Sequence, residues 1–142
     1  MRVIVLNGVN LNVLGRRDPA QYGGLTMAEL ESRIYEWSRE LELTVQCRQT
    51  NSEAEFVKRC HDAYDNTDGM VVNPAAWTHY SWAIHDALEP LTVPIVEVHL
   101  SNVDEREEWR RVSVIRDIVA TRFVGHGPDG YRLALEYLKA RS

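Results

Sequence analysis

Residues 69–100 read GMVVNPAAWTHYSWAIHDALEPLTVPIVEVHL, with an apolar run at each end and a more polar middle. The outer runs, GMVVN and PIVEVHL, are nearly continuous in Met, Val and Ile and are bounded by Pro, Asn and polar residues. That pattern suits strands buried on both faces, as parallel strands are. The middle then has to be the crossover, and its composition predicts a helix from about Thr78 to Leu88 that stops near Pro90. One strand–helix–strand unit of this kind implies a sheet with helices packed on it.

The rest of the chain repeats the alternation. RVIVLN (2–7), TVQCRQ (44–49) and IVATRFV (118–124) read as further strands, the second more polar than the others. Thr26 and Glu29 have the spacing of a capping box, with Leu30, Ile34, Trp37 and Leu41 following at helical spacing. Ser52 and Glu55 repeat the signal ahead of Phe56, Val57, Cys60 and Tyr64. REEWRR (106–111) reads as a short charged helix, and Tyr131, Leu135 and Leu138 mark a closing helix from Gly130. Five strands alternating with helices imply right-handed parallel crossovers. The expected architecture is α/β, a doubly wound, flavodoxin-like three-layer sandwich with a five-stranded parallel sheet. In such sheets ligands sit beyond the carboxyl ends of the strands, near the switch in strand order.

The bulk properties narrow the function. A chain of 142 residues without linkers or repeats reads as a single domain over 1–142, long enough to bury a core without staples. Its net charge of -5 argues against nucleic acid as the main partner, although a local cationic pocket for a small anion stays open. No stretch is apolar for long enough to span a bilayer, and no signal-peptide pattern is present, so a cytoplasmic protein is expected. Cys47 and Cys60 are too few for a disulfide framework and read as reduced core residues. His61, His79, His85, His99 and His126 show no metal-ligand spacing, so no metal and no cofactor is expected.

Three segments fall at strand ends. NGVNLNVLGRRDPAQYGG (7–24) is long for a strand–helix connection, and Gly15, Gly23 and Gly24 are candidate hinges. Its Arg16, Arg17 and Tyr22 suit base chemistry, because a guanidinium favours the phenolate of a tyrosine and does not give up its own charge. The alternative is a surface loop with solvated arginines. NPAAWTHYS (73–81) offers Asn73, Thr78, His79 and Ser81 to an oxygen-rich ligand, or else Thr78 as a cap and His79 as a surface residue. In EVHLSN (97–102), Glu97 and His99 are two apart and share a strand face. A carboxylate beside an imidazole orients it as a general acid, or is a structural pair. Leu100, Ser101 and Asn102 turn the chain where backbone N–H groups can grip a carboxylate. Arg106, Arg110 and Arg111 follow as a stripe that is more often solvated than functional. Metal-free acid–base chemistry on an oxygenated anion remains.

LNGVNLNVLGRRDPAQYGG, RQTNSEAE, NPAAWTHYSWAIHDAL, PIVEVHLSNVDEREEWRR and GHGPDGYRLALEYL, in that order, resemble type II 3-dehydroquinate dehydratase over nearly the whole chain. The resemblance implies anti elimination of water from 3-dehydroquinate through an enolate, giving 3-dehydroshikimate. It implies Tyr22 as the base at C2, Arg17 as the arginine that keeps it ionised, and Asn10 as an enolate stabiliser acting through a water. His99 would protonate the leaving hydroxyl, positioned by Glu97. Asn73, the backbone of Leu100 and the side chain of Ser101 would hold the carboxylate, while His79 and Arg110 would meet ring hydroxyls. Asp86 would reach the site of a neighbouring subunit in a dodecamer of four trimers. Val9, Trp77, Tyr80, Trp82, His85, Asp104, Val112, Arg116 and Asp117 depart from the family's usual residues. Tyr80, Trp82 and His85 raise two alternatives: a non-catalytic paralogue that binds a cyclic polyol carboxylate, or the same dehydration of an altered substrate.

Overall fold

The computed structural model describes residues 1–22 and 24–142; Gly23, one of the three candidate hinges, lies outside the described residues. The strands are β1 (Arg2–Asn7), β2 (Thr44–Gln49), β3 (Gly69–Asn73), β4 (Ile95–His99) and β5 (Thr121–Val124). They form one sheet in the order β2-β1-β3-β4-β5 with every pairing parallel. The helices are α1 (Pro19–Tyr22), α2 (Met27–Glu40), α3 (Glu53–Ala63), α4 (Trp82–Leu88) and α5 (Asp129–Lys139).

Period-two alternation divides the core. Val3, Val5, Val71, Val96 and Val98 face one way and pack with Leu30 and Ile34 of α2 and Tyr131, Leu135 and Leu138 of α5. Leu6, Met70, Val72 and Ile95 face the other way, onto Phe56 and Cys60 of α3 and Ile84 and Leu88 of α4. The result is the expected three-layer sandwich. Cys47 and Cys60 are buried free thiols in the two different core layers, and burial pushes each thiol up to about 12.

Both predicted caps form, since Thr26 accepts from the Glu29 N–H and Ser52 from the Glu55 N–H. The two carboxylates differ in partner: that of Glu29 accepts from the Thr26 hydroxyl, whereas that of Glu55 accepts from the Thr50 hydroxyl. The helix expected from Thr78 begins later. Residues Ala75–His79 form a 3-10 segment, Tyr80 breaks it with φ -154° and ψ -9°, and Ser81 caps α4 through the Ile84 N–H. Thr78 is therefore no cap, and its hydroxyl is committed elsewhere. REEWRR forms a 3-10 turn over Glu108–Arg111, and the last strand is confined to Thr121–Val124.

The strand order reverses between β1 and β3, so the segments that follow them diverge from one crevice. Gly8 seals its floor. The Gly8 N–H donates to the Asn73 carbonyl at 2.8 Å, and a Cβ on Gly8 would stand 2.4 Å from the Pro74 carbonyl oxygen. Only a residue without a side chain lets these two backbones approach so closely.

Candidate active site

A cleft of about 130 Å³ opens at the carboxyl end of the sheet. Asn10, Arg17, Tyr22, Asn73, His79, His99, Leu100, Ser101, Arg106 and Arg110 line it, so residues from all three strand-end segments meet there. Its described lining holds three arginines and no carboxylate, which makes it cationic in a chain of net charge -5. Charge concentrated in this way favours an anionic ligand.

Tyr22 ends α1 and is 8% exposed. Arg17 Nη2 donates to its hydroxyl oxygen at 2.5 Å, with the guanidinium 3.9 Å above the ring centroid. Arg106 Nη1 donates to the same oxygen at 2.7 Å and reaches Ser101 Oγ at 3.3 Å. Two cationic donors on one phenol oxygen form a cradle complementary to a phenoxide. Arg16 makes no such contact, so the choice of Arg17 within the pair is the one the geometry supports.

His99 and Glu97 lie on the same face of β4. His99 Nε2 is 2.7 Å from Glu97 Oε2, consistent with an Nε2–H donating to the carboxylate and leaving Nδ1 for a ligand. Glu97 is fully buried. Its carboxylate also accepts from Thr78 Oγ1 at 2.7 Å, from Ser113 Oγ at 2.9 and 3.1 Å, and from Arg122 Nε at 2.9 Å. Burial works to raise its pKa, but the contacts from His99, Arg122 and Thr78 outweigh burial and hold it at about 2. Glu97 is therefore an anion throughout the physiological range.

His79 Nδ1 lies 2.7 Å from the Val112 carbonyl oxygen, which can only accept, so Nδ1 carries a proton and Nε2 is left for the cleft. Burial lowers its pKa, and the His99 and Arg110 charges add to that effect. The ring stacks on His99 with centroids 6.2 Å apart. Asn73 donates from Nδ2 to Tyr131 Oη at 2.9 Å and accepts at Oδ1 from the Ala75 N–H; Tyr131 in turn donates to Asn7. That chain fixes which way the Asn73 amide faces. Asn10 adopts φ 68° and donates its backbone N–H to Asn51, which turns the loop back over the cleft. Arg110 is braced by Glu107 at 2.5 Å and lies 4.1 Å from the Trp109 ring centroid.

Two expected site residues do not line the cleft: Glu97, which stands behind His99, and Asp86. Asp86 sits on α4, with its side chain 78% exposed and 3.0 Å from His85 Nδ1. Arg106 is a cleft residue that its local sequence does not single out. The signal was its spacing of four from Arg110, which fits two arginines aimed at one site, but such stripes are usually solvated. Among the described residues, no three His, Cys, Asp or Glu side chains come together as a metal-ligand set, and no helix is long and apolar enough to cross a membrane.

Fold and site together define an α/β protein with an acid–base cleft at the switch point of a parallel sheet. Comparisons narrow the class. Residues 1–139 match the family model described as dehydroquinase class II. A 3-dehydroquinate dehydratase of Syntrophotalea carbinolica is 50% identical over 94% of this chain and 91% of that protein. Another, of Deinococcus radiodurans, is 47% identical over 96% of each. The crystal structure of type II dehydroquinase from Propionibacterium acnes superposes with a TM-score of 0.95 at 47% identity, covering 98% of this chain and 96% of that one. The chain belongs to the class II dehydroquinase family.

Proposed function

We propose that this protein is a 3-dehydroquinate dehydratase, converting 3-dehydroquinate to 3-dehydroshikimate and water as a single catalytic domain over 1–142. The observation that carries the reading is that one cationic cleft holds both a tyrosine gripped by two guanidinium groups and a histidine backed by a buried carboxylate. Those are a base and an acid in separate environments, which is what a stepwise elimination needs.

In this mechanism the Tyr22 phenoxide takes the C2 proton, and the C–H electron pair moves into the C3 carbonyl to give an enolate. Asn10 stabilises the enolate oxygen through a water. The enolate re-forms its carbonyl, the C1–C2 double bond forms, and the C1–O bond breaks. The departing hydroxyl takes the proton of His99 and leaves as water. Asn73, the Leu100 backbone and Ser101 hold the carboxylate, while His79 and Arg110 meet ring hydroxyls. Arg17 and Arg106 donate to the Tyr22 oxygen and stabilise negative charge on it.

Asp86 acts in the site of a neighbouring subunit, within a dodecamer of four trimers in the cytoplasm. Large apolar side chains left open support the assembly: Tyr80 is 60% exposed, Trp82 62% and Val112 52%. Tyr80, Trp82 and His85 lie outside this chain's cleft lining, and His85 contacts Asp86 on the face proposed to meet the neighbouring subunit.

Ultraviolet absorbance of the conjugated enone, followed on adding 3-dehydroquinate to purified protein, tests the reading. Enone should accumulate with turnover. Folded, assembled protein that leaves the substrate untouched would sink it, and light scattering separates dodecamer from trimer.

A further inference from the structure

The contacts of Glu97 divide between its two oxygens. His99 and Thr78 take Oε2, Arg122 takes Oε1, and Ser113 reaches both. Arg122 arrives from the neighbouring strand: in the β4–β5 pairing Glu97 stands opposite Arg122, so the two side chains share a sheet face. Glu97 is sealed at 0% side-chain exposure, and Arg122 is partly buried at 14%. Arg122 does not line the cleft. Its Nη2 is buried without a hydrogen-bond partner among the described residues. Its hydrogen bond to a side chain is the one that Nε donates to Glu97 Oε1 at 2.9 Å.

Charge gives that arrangement a consequence. A sealed carboxylate whose only cationic partner were a protonated His99 would hold that proton hard, because losing it would strand a buried anion. Arg122 balances the carboxylate permanently, since a guanidinium does not deprotonate. The imidazolium is then one positive charge more than Glu97 needs. The Nε2 contact still fixes the ring, while the guanidinium opposes the carboxylate's hold on an imidazolium.

We infer that Arg122 is a positioning residue for proton donation: acting through Glu97 from the adjacent strand, it makes His99 readier to release its proton to the leaving group. The inference rests on the reading of His99 as the proton donor. Other groups facing His99 are Glu97 on its own strand, His79 stacked from the 3-10 segment, and Arg17, Tyr22, Arg106 and Arg110 around the same cleft. All of these are unchanged in the variants that test it.

Arg122→Gln keeps a donor and removes the charge, Arg122→Met removes both, and Arg122→Lys keeps the charge. The His99 ring, assigned by comparison with His99→Asn, is titrated by NMR in ligand-free full-length protein, and kcat and KM are measured across pH. In both neutral variants His99 should hold its proton about tenfold more tightly, the effect of losing one nearby like charge. The alkaline limb of kcat should move up with it, and plateau kcat should fall by about threefold to tenfold. KM should stay within about a factor of two, because no substrate contact is lost. Arg122→Lys should restore the wild-type titration. An unmoved His99 titration in a folded neutral variant would overturn the inference. Failure of the neutral variants to fold beside a folded lysine variant would do the same, assigning Arg122 to the fold. If the wild type showed no turnover, the dehydratase reading would fail while the NMR titration still decided the role of Arg122.

Discussion

Removing the charge of Glu97 should cost stability at neutral pH and cost little in strong acid. The carboxyl titrates at about 2 in the fold against an ordinary 4.5, and its side chain has no exposure to solvent that would screen the effect. At about 1.4 kcal/mol per pH unit, that depression corresponds to about 3 kcal/mol of stability. Because the folded pKa is lowered, the contribution is complete above 4.5 and is lost as pH falls from there through about 2. Glu97→Gln should therefore be less stable than wild type by about 3 kcal/mol near pH 7, with the partly buried Arg122 left uncompensated. Urea unfolding followed by tryptophan fluorescence, at one protein concentration and at several pH values, measures the gap between the two proteins. Every other carboxyl is common to both, so their titration cancels in the difference. The gap should close steadily as pH falls from about 4.5 through about 2. Parallel stability curves down to the lowest pH would show that Glu97 gains nothing from its charge in this cage, and the electrostatic account of the site would fail with it.

Three further outcomes follow from single contacts. Tyr22→Phe and His99→Ala should each lose about 10²–10⁴-fold in kcat, the scale of one general acid or base, with circular dichroism unchanged; a near-normal rate for either refutes its role. Arg106→Ala, which removes the 2.7 Å donor to Tyr22 Oη, should lower kcat by about 10²-fold and should combine with Arg17→Ala less than additively, because both act on one oxygen. Additive losses would show that the two arginines work on separate steps. Gly8→Ala should destabilise the fold by about 2 kcal/mol or more and depress turnover, since its Cβ would meet the Pro74 carbonyl oxygen at 2.4 Å. Thermal unfolding measures the first effect, and an unshifted midpoint would mean that the β1 and β3 turns separate freely.

The fold was legible because its signals are local. Near-continuous Val, Ile and Leu runs identify the strands, and alternation along each strand assigns residues to the two core layers without reference to anything distant. Where the reading of helices slipped, a side chain had been claimed by a longer-range partner. Thr78 looks like a cap in sequence, but its hydroxyl donates to Glu97 on another element, and Ser81 does the capping three residues later. Glu55 has capping-box spacing, but its carboxylate goes to Thr50.

The candidate site divides along the same line. Glu97 and His99 could be paired from spacing alone, because two residues apart on a strand must share a face. Arg17 and Tyr22 could be paired because one loop carries both. Arg106 could not, because its partner Tyr22 lies 84 positions away and nothing local separates it from a solvated arginine. The cage around Glu97 was hidden for the same reason: Thr78, Ser113 and Arg122 come from three separate segments, and none is unusual where it stands. Yet that cage decides what the legible pair can do. A histidine beside a buried carboxylate is by itself as consistent with a tightly held structural ion pair as with an acid. The difference lies in how much of the carboxylate's charge is already met by other donors. Here two hydroxyls and a guanidinium meet it, so the pairing read from two adjacent positions on β4 acquires its chemical direction from residues elsewhere in the chain.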